Sequence, residues 1–160
     1  ALGAAPNGFG QGPTFTTIDY PGSTGTMAWA NNPHGDIVGI YTLADKTTHG
    51  FLLTTDGNFT AIDFPGASGT QAWGSTPAVT SWACTRPGVT HGFLLSSGTW
   101  ATIDFPGATS TLPNGINDRG DIVGAYVTAG VTHGFLLAGG AYSTIDFPGA
   151  RSSAALGIGP

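Results

Sequence analysis

Short apolar runs, some alternating with polar residues and some nearly continuous, are punctuated along the chain by clusters of Gly, Pro, Asn, Asp and Ser. Between residues 24 and 63 they stand at Thr24 to Asn31, Asp36 to Thr42, Gly50 to Thr54 and Phe59 to Asp63. Runs this short, bounded by turn residues, predict β-strands rather than helices. The turns carry their own chemistry. Asp56-Gly57 and Gly139-Gly140 have the form of two-residue hairpin turns, because glycine accepts the positive φ they need. A Pro-Gly pair after each Ile-Asp-aromatic suits a tight turn, with proline presetting φ at its second position and glycine supplying φ > 0 at its third.

The pattern repeats. Ile-Asp-(Tyr/Phe)-Pro-Gly occurs four times, with aspartates at Asp19, Asp63, Asp104 and Asp146, in steps of 44, 41 and 42 residues. Thr-His-Gly-Phe-Leu-Leu recurs around His49, His91 and His133. Gly-Asp-Ile-Val-Gly stands at Gly35 to Gly39 and at Gly120 to Gly124, with a decayed middle copy at Val79-Thr80-Ser81-Trp82-Ala83. Four strands per repeat of about 42 residues is the signature of a propeller blade. The expected fold is therefore all-β, a small β-propeller of about four blades. A β-trefoil, or one half of a two-chain propeller, is the alternative.

The expected units are 20–63, 64–104 and 105–146, within one repeat domain spanning 1–160. A split unit is expected from 147–160 together with 1–19. Ala154-Ala155-Leu156-Gly157-Ile158 matches Leu112-Pro113-Asn114-Gly115-Ile116, and Asn7-Gly8-Phe9 occupies the His-Gly-Phe position. Strands from both termini would then close the ring and remove its exposed edges. Only Ala1 to Pro6 stand where a second strand of that unit belongs, so the unit is short a strand or a homo-oligomer completes it.

Composition narrows the partners. The 160 residues include 27 Gly and 11 Pro, with 8% charged residues, a net charge of −5 and no Glu. A helical bundle is excluded by the scarcity of helix formers. One lysine and three arginines leave no basic footprint, so neither nucleic acid nor a membrane surface is an expected partner. No apolar run is long enough to span a membrane. The first residues lack the features of a signal peptide, so a secreted form would already have lost that segment. The single cysteine, Cys84, cannot form an internal disulfide.

His-Gly-Phe at 49–51, 91–93 and 133–135, beside Gly-Ile-Asn-Asp-Arg-Gly-Asp-Ile-Val-Gly at 115–124, resembles the HAF-type repeats of bacterial proteins, named for a His-Ala-Phe motif. The resemblance spans Asn7 to Gly159. It implies a repeated β architecture and an extracellular, secreted location in a bacterial setting. It implies little about activity. Glycine stands here where the family name has alanine.

Four sets of residues are candidates for chemistry. A turn at Gly139-Gly140 sets His133 across a hairpin from Asp146, and Ser97-Gly98 does the same for His91 and Asp104; a turn at Asp56-Gly57 would leave His49 and Asp63 one residue out of register. A histidine beside a carboxylate can act as a general base, so His91, Asp104, His133 and Asp146 are the residues of a hydrolase reading. A catalytic pair is needed once, whereas this one recurs, which favours a hydrogen bond pinning strand three to strand four. No Gly-x-Ser-x-Gly elbow accompanies it.

Three histidines or four aspartates could converge on a metal, but they belong to outer strands of a blade, so no metal site or cofactor is assigned. A single calcium on aspartates and loop carbonyls stays open. Trp29 and Trp73 occupy one place in two units, with Asn114 and Leu156 in the others. With Asn31, Asn32 and Asn117 in the neighbouring loops, these indoles form a sugar platform, or else fill the wedge between blades. Asp36 and Asp121 fit as turn residues. Trp82, aligned with Val38 and Val123, is expected in the core, as are Phe51, Phe93, Phe135 and the Leu-Leu pairs after them.

The expected function is a secreted recognition or structural module, binding carbohydrate or another small ligand at repeated shallow, lectin-like sites. A metal-dependent, calcium-type lactonase or esterase on a propeller scaffold is the enzymatic alternative. A subunit of a surface assembly is the structural one.

Overall fold

The computed structural model describes residues 15–75, 79–86, 89–96 and 98–159, and for 73–75 and 79–86 the backbone path alone. The protein is all-β, with no helix among the described residues. Among the described residues twelve strands form three four-stranded antiparallel sheets, each a meander in chain order. The first sheet holds β1 (Gly25–Asn31), β2 (Ile37–Thr42), β3 (Thr48–Leu53) and β4 (Phe59–Ile62). The second holds β5 (Gly69–Ser75), β6 (Val79–Arg86), β7 (Val89–Ser96) and β8 (Thr99–Ile103). The third holds β9 (Ser110–Ile116), β10 (Ile122–Thr128), β11 (Val131–Ala138) and β12 (Ala141–Ile145).

The repeated turn explains how one sheet leads to the next. Gly22, Gly66, Gly107 and Gly149 all have φ between 76° and 80°, the left-handed value that the third turn position requires. The residue after each donates its N–H to the carbonyl of the marker aromatic in all four copies, at 3.0–3.1 Å. A hydroxyl six residues on then accepts the aromatic's own N–H: Thr26 for Tyr20, Thr70 for Phe64, Thr111 for Phe105 and Ser153 for Phe147. With both backbone groups satisfied, the turn aims its ring rigidly into the sheet that follows. Tyr20 stacks on Tyr41, and Phe105 on Tyr126, with centroids 3.6 and 3.7 Å apart and planes 3° apart.

Successive sheets share their cores. One cluster joins Val38 and Ile62 of the first sheet to Ala72 and Phe93 of the second; another joins Ile103 of the second to Ile122, Tyr126 and Phe135 of the third. Phe51, Phe93 and Phe135 are fully buried, each contributing about 2–3 kcal/mol by leaving water. The Leu-Leu pairs after them are half-buried rather than core, because alternation turns one of each pair to the opposite sheet face.

Two registers differ from those expected. In the first sheet the turn is a five-residue loop, with Leu53 opposite Phe59, so Gly50 pairs with Ile62 and His49 falls directly opposite Asp63. The loop closes from Thr54 to Asn58, with Gly57 at φ 81° inside it. In the second sheet Trp82 pairs with Phe93, the place held by Gly39 opposite Phe51 and Gly124 opposite Phe135. Ser81, not Trp82, is therefore the counterpart of Val38 and Val123. The Trp82 side chain, the Asn7-Gly8-Phe9 copy and Ser97 lie outside the described residues.

After the fourth turn the chain lies along the third sheet without pairing as a regular strand. Ser153 and Ala155 donate their N–H groups to the carbonyls of Thr132 and Gly124, and Asn114 Nδ2 donates to the Ala155 carbonyl.

Candidate functional site

The hairpin that joins the third and fourth strands of each sheet places a histidine opposite an aspartate. His49 Nδ1 lies 2.8 Å from Asp63, His91 Nδ1 3.1 Å from Asp104, and His133 Nδ1 2.7 Å from Asp146. All six side chains are partly exposed. The ionised carboxylate can only accept, so Nδ1 carries the proton and Nε2 presents its lone pair whenever the imidazole is neutral. The pairs His49–Asp63 and His91–Asp104 each open on a shallow groove whose far wall is the Pro-Gly turn leading to the next sheet, Pro65–Thr70 and Pro106–Thr111 respectively. The imidazoles of His49 and His133 stack on Tyr41 and Tyr126, with centroids 5.1 Å apart.

Burial pushes the Tyr41 phenol up, with the Tyr20 hydroxyl and the Asp63 charge adding to it. Tyr142 is raised by burial and then by Asp104. Neither phenol is placed to act as a base at neutral pH. The hydrogen bond from His133 holds Asp146 below its ordinary range, against a smaller opposing effect of burial. A carboxyl depressed in the folded state adds stability above its unfolded pKa, and that stability is lost as pH falls through the folded value. Thermal melts from about pH 5 down to about pH 2 should therefore show a shallower acid decline for Asp146→Asn than for the parent. Identical declines would show that the pair adds nothing.

Only the first copy extends its pair into a chain. Thr47 Oγ1 lies 2.8 Å from His49 Nε2 and donates to Asp45 Oδ1 at 2.6 Å, while the Thr47 N–H donates to the same carboxylate oxygen. The outline is that of a hydroxyl–imidazole–carboxylate triad, but the proton count differs. Thr47 has one hydroxyl proton and gives it to Asp45, so the His49 contact is satisfied only when Nε2 donates to Thr47. That arrangement anchors the loop and does not activate Thr47 as a nucleophile. Val89 and Val131 occupy the Thr47 position in the other copies, so the chain occurs once.

A second feature recurs on the first strand of every sheet. The ladder slips by one residue between Ala28 and Ala30, between Ala72 and Gly74, and between Pro113 and Gly115. Trp29, Trp73 and Asn114 are the extra residues of three equivalent β-bulges. Bulges re-aim side chains off the regular ladder. Trp29 is 45% exposed and borders an open groove with Ala28, Asn31, Gly35 and Ile37. Asn114 instead binds the chain at Ala155. The Trp73 side chain lies outside the described residues.

The loop asparagines divide. Asn31 is exposed and lines the Trp29 groove. Asn32 and Asn117 are buried, and each side-chain oxygen accepts two backbone N–H groups, from His34 and Asp36 or from Arg119 and Asp121. Each amide nitrogen donates to the aspartate four residues on. Those amides hold their turns and have little left for a ligand. Asn117 and Arg119 together keep Asp121 below the usual carboxylate range.

Among the described residues no three histidine, cysteine or acidic side chains converge as a metal would require. Compared with family models, characterised proteins and solved structures, the chain matches none.

Proposed function

We propose that this chain is a non-enzymatic, secreted recognition module whose three sheets are successive blades of a small propeller, and that it binds carbohydrate at repeated shallow sites. The observation that carries this reading is the equivalent bulge in all three sheets. It turns Trp29 out beside Asn31 at an open groove, and it sets Trp73 at the same backbone position of the next sheet. An indole face beside an amide offers a sugar ring both apolar contact and a directional hydrogen bond. Each site is shallow, so useful affinity comes from engaging several repeats at once. The secreted location follows from the resemblance to extracellular repeats.

Titration with a soluble oligosaccharide chosen from a glycan panel tests this. Trp29→Ala should weaken binding by about tenfold, or ~1.5 kcal/mol, with the circular dichroism spectrum unchanged. Unchanged affinity in a folded Trp29→Ala, Trp73→Ala double variant would defeat the reading.

One observation favours a second reading. His91 lines a groove with Asp104 beside its Nδ1, the pairing by which a carboxylate orients the general base of an esterase or lactonase. Turnover of esters or lactones that disappears in His91→Ala or His133→Ala, or on calcium chelation, would select that reading.

A further inference from the structure

Asn58-Phe59-Thr60 has the form Asn-x-Thr, the acceptor triplet of N-linked glycosylation. The chain holds six asparagines, and the other five lack Ser or Thr two residues on. Thr99 and Ala141 stand at the Asn58 position of the other sheets, and Ala101 and Ser143 at the Thr60 position. The triplet is thus no part of the repeated pattern. It coincides with the one enlarged hairpin, the loop 54–58, whereas Ser96 pairs with Thr99 and Ala138 with Ala141 in the other sheets.

The fold presents this triplet to solvent. Phe59 packs its ring on Tyr20 and Phe51, with centroids 5.3 and 5.5 Å apart. Side chains alternate along a strand, so Asn58 and Thr60 share the face turned away from that cluster. Both are exposed. The loop keeps its shape through the Thr54 N–H, which donates to the Asn58 carbonyl at 3.0 Å, and the Thr55 N–H, which donates to Asp36 at 3.2 Å. Its tip is open: a Cβ added to Gly57 would meet no atom within 4 Å. β4 is the last strand in the order of its sheet, so among the described residues its outer edge has no partner strand. Asp56, two places before the asparagine, is exposed as well and supplies a carboxylate for a cationic group of a modifying enzyme.

We propose that Asn58 is the acceptor of an N-linked glycan, transferred by an oligosaccharyltransferase from an oligosaccharide carried on a polyprenyl pyrophosphate. Asn58 Nδ2 forms a bond to the anomeric carbon, and the bond from that carbon to the pyrophosphate oxygen breaks. The electron pair leaves with the lipid pyrophosphate, and the amide gives one proton to a base of the transferase. Nothing is oxidised or reduced. The hydroxyl of Thr60 is the group by which the enzyme holds the acceptor. A glycan there stands at the outer edge of the first sheet, where its bulk blocks edge-to-edge pairing with another chain. The inference rests on the secreted location proposed above and is independent of carbohydrate binding.

The test is a reaction of the folded, purified chain with a single-subunit oligosaccharyltransferase and its lipid-linked oligosaccharide, read by intact mass. The mass should rise by one glycan, mapped to Asn58 by peptide sequencing. Asn58→Gln and Thr60→Ala should each lose the gain, while Thr60→Ser keeps it and Asp56→Asn slows it. All these positions are exposed, so the circular dichroism spectra should match the parent. Modification only after unfolding would overturn the proposal. So would an unchanged mass with an enzyme that modifies a peptide carrying residues 56–60. Fractionation of cells that make the native chain tests its location separately: a chain that accepts the glycan in the reaction but is found only in the cytoplasm would uphold the acceptor and defeat the secreted reading.

Discussion

Gly92→Ala is expected to destabilise the protein by about 3 kcal/mol, a large share of the 5–15 kcal/mol that holds a domain of ordinary size together. Gly92 is the central residue of the His-Gly-Phe marker in the middle sheet. A Cβ there would lie 2.6 Å from the Ile103 carbonyl oxygen across the hairpin, and 2.5 and 2.6 Å from Cγ and Cδ of Pro113 in the next sheet. The first neighbour is backbone and the second is a closed ring, so neither can swing away. Relief would require the second and third sheets to separate, which would expose the shared cluster of Ile103, Tyr126 and Phe135. At this position Pro113 fills the space a methyl group would take. Gly157→Ala is the control, since no atom lies within 4 Å of its added Cβ, and should shift stability by less than about 0.5 kcal/mol. Chemical denaturation measures both, and equal midpoints for Gly92→Ala and the parent would refute the close packing.

Much of this arrangement was legible in the residues, because strand lengths and turn chemistry are local. The Pro-Gly turns and the Gly139-Gly140 hairpin follow from φ preferences alone, and the buried phenylalanines follow from the repeat. The first hairpin was not legible, since Asp56-Gly57 has the form of a two-residue turn while the observed loop spans 54–58. A loop of that size is chosen by the pairing of the whole strand, which set His49 opposite Asp63 as in the other sheets. The middle sheet misled for a related reason: with Gly-Asp-Ile-Val-Gly decayed, nothing local fixes whether Ser81 or Trp82 matches Val38. Asn32 and Asn117 were expected beside the indoles as ligand contacts, whereas packing buries both and turns their amides onto the backbone and onto Asp36 and Asp121. The threonine or serine six residues beyond each marker aromatic recurs plainly in the sequence, and its significance appears only once the hydroxyl is seen on the aromatic's N–H. The triad-like outline at His49 needed Thr47 and Asp45 in place before its protons could be counted.

Phe135→Ala should cost about 3–5 kcal/mol, the range for emptying a buried ring site that cannot collapse. The ring lies across Gly124, where an added Cβ would be 2.7 Å from its Cε1, and it meets Phe105 and Tyr142 at 6.3 and 5.9 Å. Nothing else can fill the space, because the residue opposite is glycine and its neighbours are held in their own stacks. The consequence depends on which sheet is hit. Phe135 belongs to the third sheet and joins it to the second through Ile103, whereas Phe93 belongs to the middle sheet and joins it to the first through Val38 and Ile62. In a linear stack each unit is stabilised by its own core and its neighbour contacts. Phe135→Ala should therefore loosen the third sheet first and split the denaturation curve into two steps, with the fluorescence of the four tryptophans, all in the first two sheets, reporting the later one. Phe93→Ala removes the core of the sheet that both others lean on, and should lower the whole curve in one step. If both variants unfold in a single transition with the same midpoint, the sheets form one cooperative unit and the stack behaves as a closed body rather than a linear array.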